Sequence, residues 1–431
     1  MRRALSTALA AVAALALSGA AAAWDAPPWI ARGELPLPAR VTSARVLKAD
    51  QALFTAPDKD APRRGSAAQG ARLPIFAVRG GSGCALRWLQ VGPFAWVCED
   101  AVELVDSAPV HPKARSLREA RDGLPYSYYF VGPDGSFAYK ELRNADVGEP
   151  DMQLEPGFAV AIVEERLIEG VRYGRTYNAL WVPMRDLGPV RSFGFHGEDL
   201  ASLFPSGAAA PLIPFAWVIA DRARLRTQLG SPTDSPDGRN RFELVPVLGS
   251  TEAAGGPLLQ IGPDAWLKAT DVRRPSLAAP PPEVDVAAGE RWIDVDLATQ
   301  TLVAYEGTKP VFTTLVATGK GRPGSATVTP KGVSRVWIKL LSSDMDNLED
   351  ENAARYYRME TVPYVQYFSK GVGLHGAFWH RGFGQVRSHG CVNLAPLDAQ
   401  RLFWWTSPRL PAGWTAVVPT AHEPGSVIRV R

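Results

Sequence analysis

Leu374-His375-Gly376-Ala377-Phe378-Trp379-His380 and, after a short stretch, Arg387-Ser388-His389-Gly390-Cys391-Val392-Asn393 are the runs that decide how this chain is read. A thiol becomes a good nucleophile near neutral pH only beside a base or in a positive field. These runs supply a cysteine in a glycine-bounded turn and a histidine upstream of it. Gly390 also frees the turn to aim backbone N–H groups at a developing oxyanion.

The two runs resemble the signature of the L,D-transpeptidases, the YkuD-type catalytic domain: a His, a spacer, then Ser/Thr-His-Gly-Cys, an apolar residue and Asn or Arg. The spacer, Gly376 to Arg387, is twelve residues, short for that family. Other pieces of the chain are similar to family members in the same order. They are Ile293-Asp294-Val295-Asp296-Leu297, Gln300-Thr301-Leu302, Ala317-Thr318-Gly319, Thr329-Pro330-Lys331-Gly332, Val362-Pro363-Tyr364 and the Ala377-to-Gly384 run. The likeness covers residues 288 to 420.

The resemblance implies roles. Cys391 is the nucleophile, although free cysteines are more often buried and inert. His375 takes the thiol proton, with the Gly376 carbonyl orienting its ring through the other nitrogen. His389 shapes and supports the turn, and Ser388 caps or ties it. Backbone N–H groups around His389, Gly390 and Cys391 form the oxyanion hole. Trp379, Arg387 and Asn393 are candidate substrate contacts. Arg387 pairs either with a peptide carboxylate or with a surface carboxylate, and His380 is a candidate rim residue. The sharpest rival is zinc held by His375, His389 and Cys391. No Asp or Glu lies between Leu374 and Leu394 to complete such a site. No metal or organic cofactor is implied.

The chain opens with Arg2-Arg3, an apolar run from Ala4 to Leu17 and alanines 20–23. This reads as a signal peptide over residues 1–23; the run is short for a spanning helix of ~20 apolar residues. An extracytoplasmic protein, in the periplasm or cell wall and without stable membrane insertion, is the expectation. The net charge of +3 is spread without a basic stripe, which argues against nucleic-acid binding. Of three cysteines, Cys84 and Cys98 flank two strands joined by Gly92-Pro93. They are expected to form a disulfide, with both thiols reduced in the core as the alternative, and Cys391 is left over.

With 39 glycines and 37 prolines and few helix-periodic segments, a mostly β chain is expected. It also repeats itself: Trp88-to-Val97 matches Leu258-to-Leu267, and Ala44-to-Asp50 echoes Ala216-to-Arg222. A weaker copy ends in Leu180-Trp181-Val182-Pro183-Met184. These units resemble bacterial SH3-like domains, which gives modules at 40–106, 125–190 (the weaker one) and 212–273. They bind wall peptides or glycans, or serve as spacers or lids. Trp88, Trp96 and Trp266 are read as core residues. Residues 274–289, with Pro280-Pro281-Pro282, read as a semi-rigid linker. The catalytic domain, β-sandwich-like by resemblance, follows at 290–420. Its helix is expected over Leu397–Thr406, its closing strand at Ala416–Val418, and its tail from Thr420 is expected to be loose.

The expected function is peptidoglycan L,D-transpeptidation. Cys391 cleaves the L,D bond of a donor tetrapeptide and passes the acyl group to an amine, either on a neighbouring stem peptide or on a wall-attached protein. Hydrolysis of the same acyl-enzyme (a carboxypeptidase or amidase) and a wall-binding protein without activity are the alternatives. The modules are expected to guide the enzyme, so that a fragment beginning near Glu290 keeps the chemistry.

Overall fold

Short apolar alternations cut by glycine, proline and asparagine turns produce short, mostly antiparallel strands. A computed structural model describes residues 29–37, 39–109, 122–191, 193–204, 212–227, 234–322, 325, 327–348 and 356–431. The expected signal peptide lies outside them. The chain is mostly β; among the described residues the α-helices are Leu142–Asp146 and Pro396–Trp405.

The internal repeat is visible in strand register. Leu89 faces Val97 and Gln90 faces Trp96 in the first unit; Leu259 faces Leu267 and Gln260 faces Trp266 in the last. Each of three units ends in a strand, one 3-10 turn and a second strand, the turns being Glu99–Ala101, Met184–Asp186 and Ala269–Asp271. In each, the final strand returns to pair with the first. Trp88 and Trp96 are buried, whereas Trp266 is half-buried. The Cys84–Cys98 disulfide ties the first unit, with its α-carbons 5.6 Å apart.

The C-terminal third forms two sheets and a helix. Strands Arg291–Asp296, Thr301–Glu306 and Lys309–Leu315 form a meander. The long strands Ile338–Asp346 and Arg358–Ser369 pair in the other sheet, which continues into Val372–Gly376 and Val392–Leu394. The helix begins at Pro396, whose fixed φ suits a first helical position, and buries Ala399, Leu402 and Phe403. The closing strand is Trp414–Val417.

The tail expected to be loose is instead a strand, Val427–Val430. It lies parallel to Arg291–Asp296 and antiparallel to Gly332–Arg335. Val427 and Ile428 are fully buried. Pro424-Gly425 only turns the chain; Val427, Ile428 and Val430 carry enough apolar surface to fill an interior place in the sheet.

The repeats share this framework. Strand Arg63–Ala67 pairs with Trp414–Val417, and a Cβ on Gly65 would come within 2.2 Å of Ala416 O. Arg64, buried beside Trp414, donates Nε–H to Pro93 O at 3.2 Å and pairs with Glu423 at 3.3 Å. From the second repeat, Ala159 pairs with Met359, and the Tyr128 hydroxyl donates to Thr361 O at 2.6 Å. From the third, Arg273 Nε–H donates to Gly384 O at 3.1 Å. The 274–289 stretch runs along the catalytic sheet: Ala278 N–H donates to the Tyr305 hydroxyl at 2.9 Å, Arg429 donates to Ala279 O at 2.8 Å, and Val284 is buried.

Candidate functional site

Strands Val372–Gly376 and Val392–Leu394 run parallel, with His375 level with Asn393. Cys391 stands two residues before Asn393, so the thiol and the imidazole lie diagonally on one face of neighbouring chains. Both line a cavity of about 940 Å³. Tyr357, Met359 and Tyr367 line it from the long strand and its approach, Trp379 and His380 from the loop after His375, and Lys320 and Arg387 from its basic side.

His375 is buried, and its Nδ1 lies 3.2 Å from Gly376 O. A carbonyl can only accept, so Nδ1 carries the proton and Nε2 keeps its lone pair. Trp379 stacks on the ring at 5.8 Å. Burial pulls the His375 pKa down to about 4, against a small opposing effect of Gly376 O. Burial likewise pushes the Cys391 thiol up, opposed by the Gly373 backbone. At neutral pH the site therefore rests as thiol and neutral imidazole. A thiol and a neutral imidazole so placed suit general-base chemistry rather than a standing ion pair.

The Ser388–Cys391 turn is clamped from behind. Thr318 O accepts Arg387 N–H at 2.8 Å and Ser388 N–H at 3.0 Å. Ala317 and Asn393 exchange backbone bonds of 2.9 and 3.0 Å. Thr329 Oγ1 takes Gly319 N–H at 2.8 Å and donates to Gly390 O at 2.7 Å. Gln300 holds Thr318 through its Oε1 and Nε2 at 2.9 and 2.7 Å. Gly390 has a φ of 127°, and a Cβ on Gly319 would sit 2.9 Å from Gly390 Cα. Both positions require glycine.

Inside the turn, Ser388 Oγ donates to Cys391 O and accepts Gly390 N–H at 3.2 Å. The Gly390 amide is thus committed, which removes it from the expected oxyanion donors. His389 is exposed and stacks on Tyr357 at 5.7 Å. Arg387 is exposed at the cavity rim, with no carboxylate partner among the described residues.

His380 is more than a rim residue. It is buried, its Nδ1 accepts Gly382 N–H at 3.0 Å, and its Nε2 lies 2.9 Å from the Asn393 amide. Both ring nitrogens are occupied, and burial takes its pKa to about 3. It fixes Asn393, and through it the strand that follows Cys391. Tyr357, Met359, Tyr367 and Lys320 were not singled out from the sequence. They come from segments far from the His-Gly-Cys turn, and no local pattern marks them.

Among the described residues, the side chains close enough to hold a metal are Cys84, Cys98 and Asp100, and both of those sulfurs are spent in the disulfide.

Residues 290–418 match the family model described as YkuD, the L,D-transpeptidase catalytic domain. No curated protein matches the chain. Several solved structures are similar. A cysteine-to-serine variant of the Enterococcus faecium L,D-transpeptidase is 25% identical over 33% of this chain and 50% of that one, with a TM-score of 0.25. The isolated catalytic domain from E. faecium is 26% identical over 33% of this chain and 98% of its own, with a TM-score of 0.25. An L,D-transpeptidase from Stackebrandtia nassauensis is 26% identical over 33% and 55%, with a TM-score of 0.22. The chain thus spans half the length of the first of these.

Proposed function

We propose that residues 290–418, an L,D-transpeptidase catalytic domain, act on peptidoglycan through a Cys391 acyl-enzyme. The observation that carries this reading is that Cys391 and His375 line one cavity from neighbouring parallel segments, with the His375 Nδ1 held by Gly376 O and Nε2 left to accept a proton. The thiol attacks the carbonyl of the L-centred third residue of a tetrapeptide stem while its proton passes to His375. The backbone N–H groups of His389 and Cys391, rather than that of Gly390, hold the developing oxyanion. As the C–N bond breaks, His375 returns the proton to the departing D-residue's amine, leaving a thioester. An acceptor amine then attacks the thioester, its proton goes to His375, and the C–S bond breaks to regenerate the thiol. Arg387 and Lys320 at the rim suit the carboxylates of stem peptides.

In this reading the protein is exported to the periplasm or cell wall, and the three N-terminal repeats are SH3-like modules. The triplicated strand, 3-10 turn and strand ending supports the latter. The test is purified full-length protein with disaccharide-tetrapeptide, read by mass spectrometry. Cross-linked dimer supports transpeptidation and tripeptide alone supports hydrolysis; unchanged substrate would reject the reading.

A further inference from the structure

A second cavity, of about 490 Å³, opens where the third repeat, the 193–198 connector and the catalytic loop meet. Its floor is aromatic: Phe242 lies 4.6 Å from Phe195 and 6.3 Å from Phe193, and Phe193 stacks on Phe383 at 5.6 Å. Asn240, Glu198, Glu243 and Arg381 surround it.

Phe242 is in an unusual conformation. In all three repeats the chain turns at one equivalent position, where a residue donates its N–H to a valine carbonyl of the first strand. The bonds are Gly70 to Val46 at 2.8 Å, Gly157 to Val131 at 2.9 Å and Phe242 to Val218 at 2.8 Å. The valine N–H returns to the next residue's carbonyl each time. The turn requires a positive φ: 76° at Gly70, 83° at Gly157 and 68° at Phe242. Two repeats use glycine, which adopts this conformation freely, whereas a bulky side chain is strained there. The third repeat keeps a phenylalanine and directs it into the cavity. Strain retained where a sibling repeat shows the relaxed solution points to use of the side chain.

The lining indicates the ligand. Two arginines, 241 and 381, are balanced by two glutamates, 198 and 243, so the cavity has no net preference for an anion. Half-buried rings beside amide, carboxylate and guanidinium groups suit a neutral ring with one apolar face and hydroxyls at its edge. Arg381 directly follows His380, which lines the Cys391 cavity, so the two cavities flank a single loop.

We propose that the Phe242 cavity binds a sugar of the glycan strand whose attached peptide reaches Cys391. This rests on the peptidoglycan reading above and adds a glycan site to it. Peptide-free glycan strands, released from sacculi by amidase and labelled, would be titrated against full-length wild-type protein, Phe242→Gly and Asn240→Ala. Phe242→Gly relieves the strained turn, and Asn240 is exposed. Both variants should fold, and thermal melts would verify it. Glycan affinity should fall about tenfold for Phe242→Gly, the scale of one aromatic contact, and severalfold for Asn240→Ala. Acylation of Cys391 by a carbapenem should be unchanged in both. Glycan affinity unaltered in both folded variants would overturn the proposal, and so would a wild type that turns over free tetrapeptide but binds no glycan. Tetrapeptide turnover, measured in parallel, registers failure of the enzymatic reading separately.

Discussion

Glu360 accepts the backbone N–H of Ala161 at 2.8 Å, and its other oxygen accepts that of Asn178 at the same distance. One buried carboxylate thus clasps the second repeat onto the strand that supplies Met359 and Tyr367 to the Cys391 cavity. Glu360→Ala leaves two backbone donors without their charged acceptor, at a cost of about 2–3 kcal/mol. Urea unfolding should show that loss, and the KM for tetrapeptide should rise. The same architecture bears on a fragment beginning near Glu290. It would uncover the Trp414–Val417 edge and strip Glu360 of its partners, so it should be acylated more slowly than the full chain. Equal stability and equal acylation rates would show the repeats to be energetically separate.

His375 gives the fold an acid limit. Its folded pKa of about 4 lies below the unfolded value of about 6.5. Its contribution is therefore complete above pH 6.5 and is lost as pH falls through 4, because the unfolded chain takes up the proton first. Over that window the loss is on the order of 3 kcal/mol. His375→Gln should roughly halve the histidine-linked slope of the stability–pH curve between pH 6.5 and 4, leaving the comparable slope from His380, whose folded pKa is about 3. Parallel curves for variant and wild type would contradict a buried neutral imidazole.

The Cys84–Cys98 bridge spans a sequence separation of 14, for which loop-closure entropy gives about 3 kcal/mol. Reduction should lower the thermal midpoint of the full-length protein while leaving Cys391 reactive at low temperature. Non-reducing peptide maps should show Cys391 as the single free thiol.

Ser388 has its hydrogen bonds within the turn. Ser388→Ala removes both its bond to Cys391 O and its bond to Gly390 N–H. That should lower the acylation rate about tenfold, equivalent to about 1.4 kcal/mol, with little change in KM. Ser388→Thr keeps the hydroxyl and should recover most of the rate.

The turn at Ser388–Cys391 was readable as a unit because its bonding is local: Ser388 bonds to Cys391 O and to Gly390 N–H. The clamp behind it was half legible. Gln300, Thr318 and Thr329 lie in segments that marked the domain, but their convergence on one turn is a tertiary fact. His380 lies within the spacer and His389 just beyond it, and nothing in the sequence says that the first is buried and the second exposed. The repeats were legible as units through their shared hairpins. Their fusion to the catalytic sheet was not, because the pairing of Gly65 with Val417 depends on which strand edges remain open after each unit folds. The last strand was hidden by Pro424-Gly425, whose turn signal outweighed the short Val427-Ile428-Arg429-Val430 stretch.

The central claim is that Cys391, deprotonated by His375, carries the acyl group. Intact-mass spectrometry of full-length wild type, Cys391→Ala and His375→Gln after exposure to a carbapenem at neutral pH tests it most directly. The account predicts one stoichiometric adduct on wild type, mapped to the peptide containing Cys391. It predicts none on Cys391→Ala and an adduct forming at least about a hundredfold more slowly on His375→Gln, the scale of general-base assistance. An adduct on folded Cys391→Ala, or undiminished acylation of His375→Gln, would contradict it.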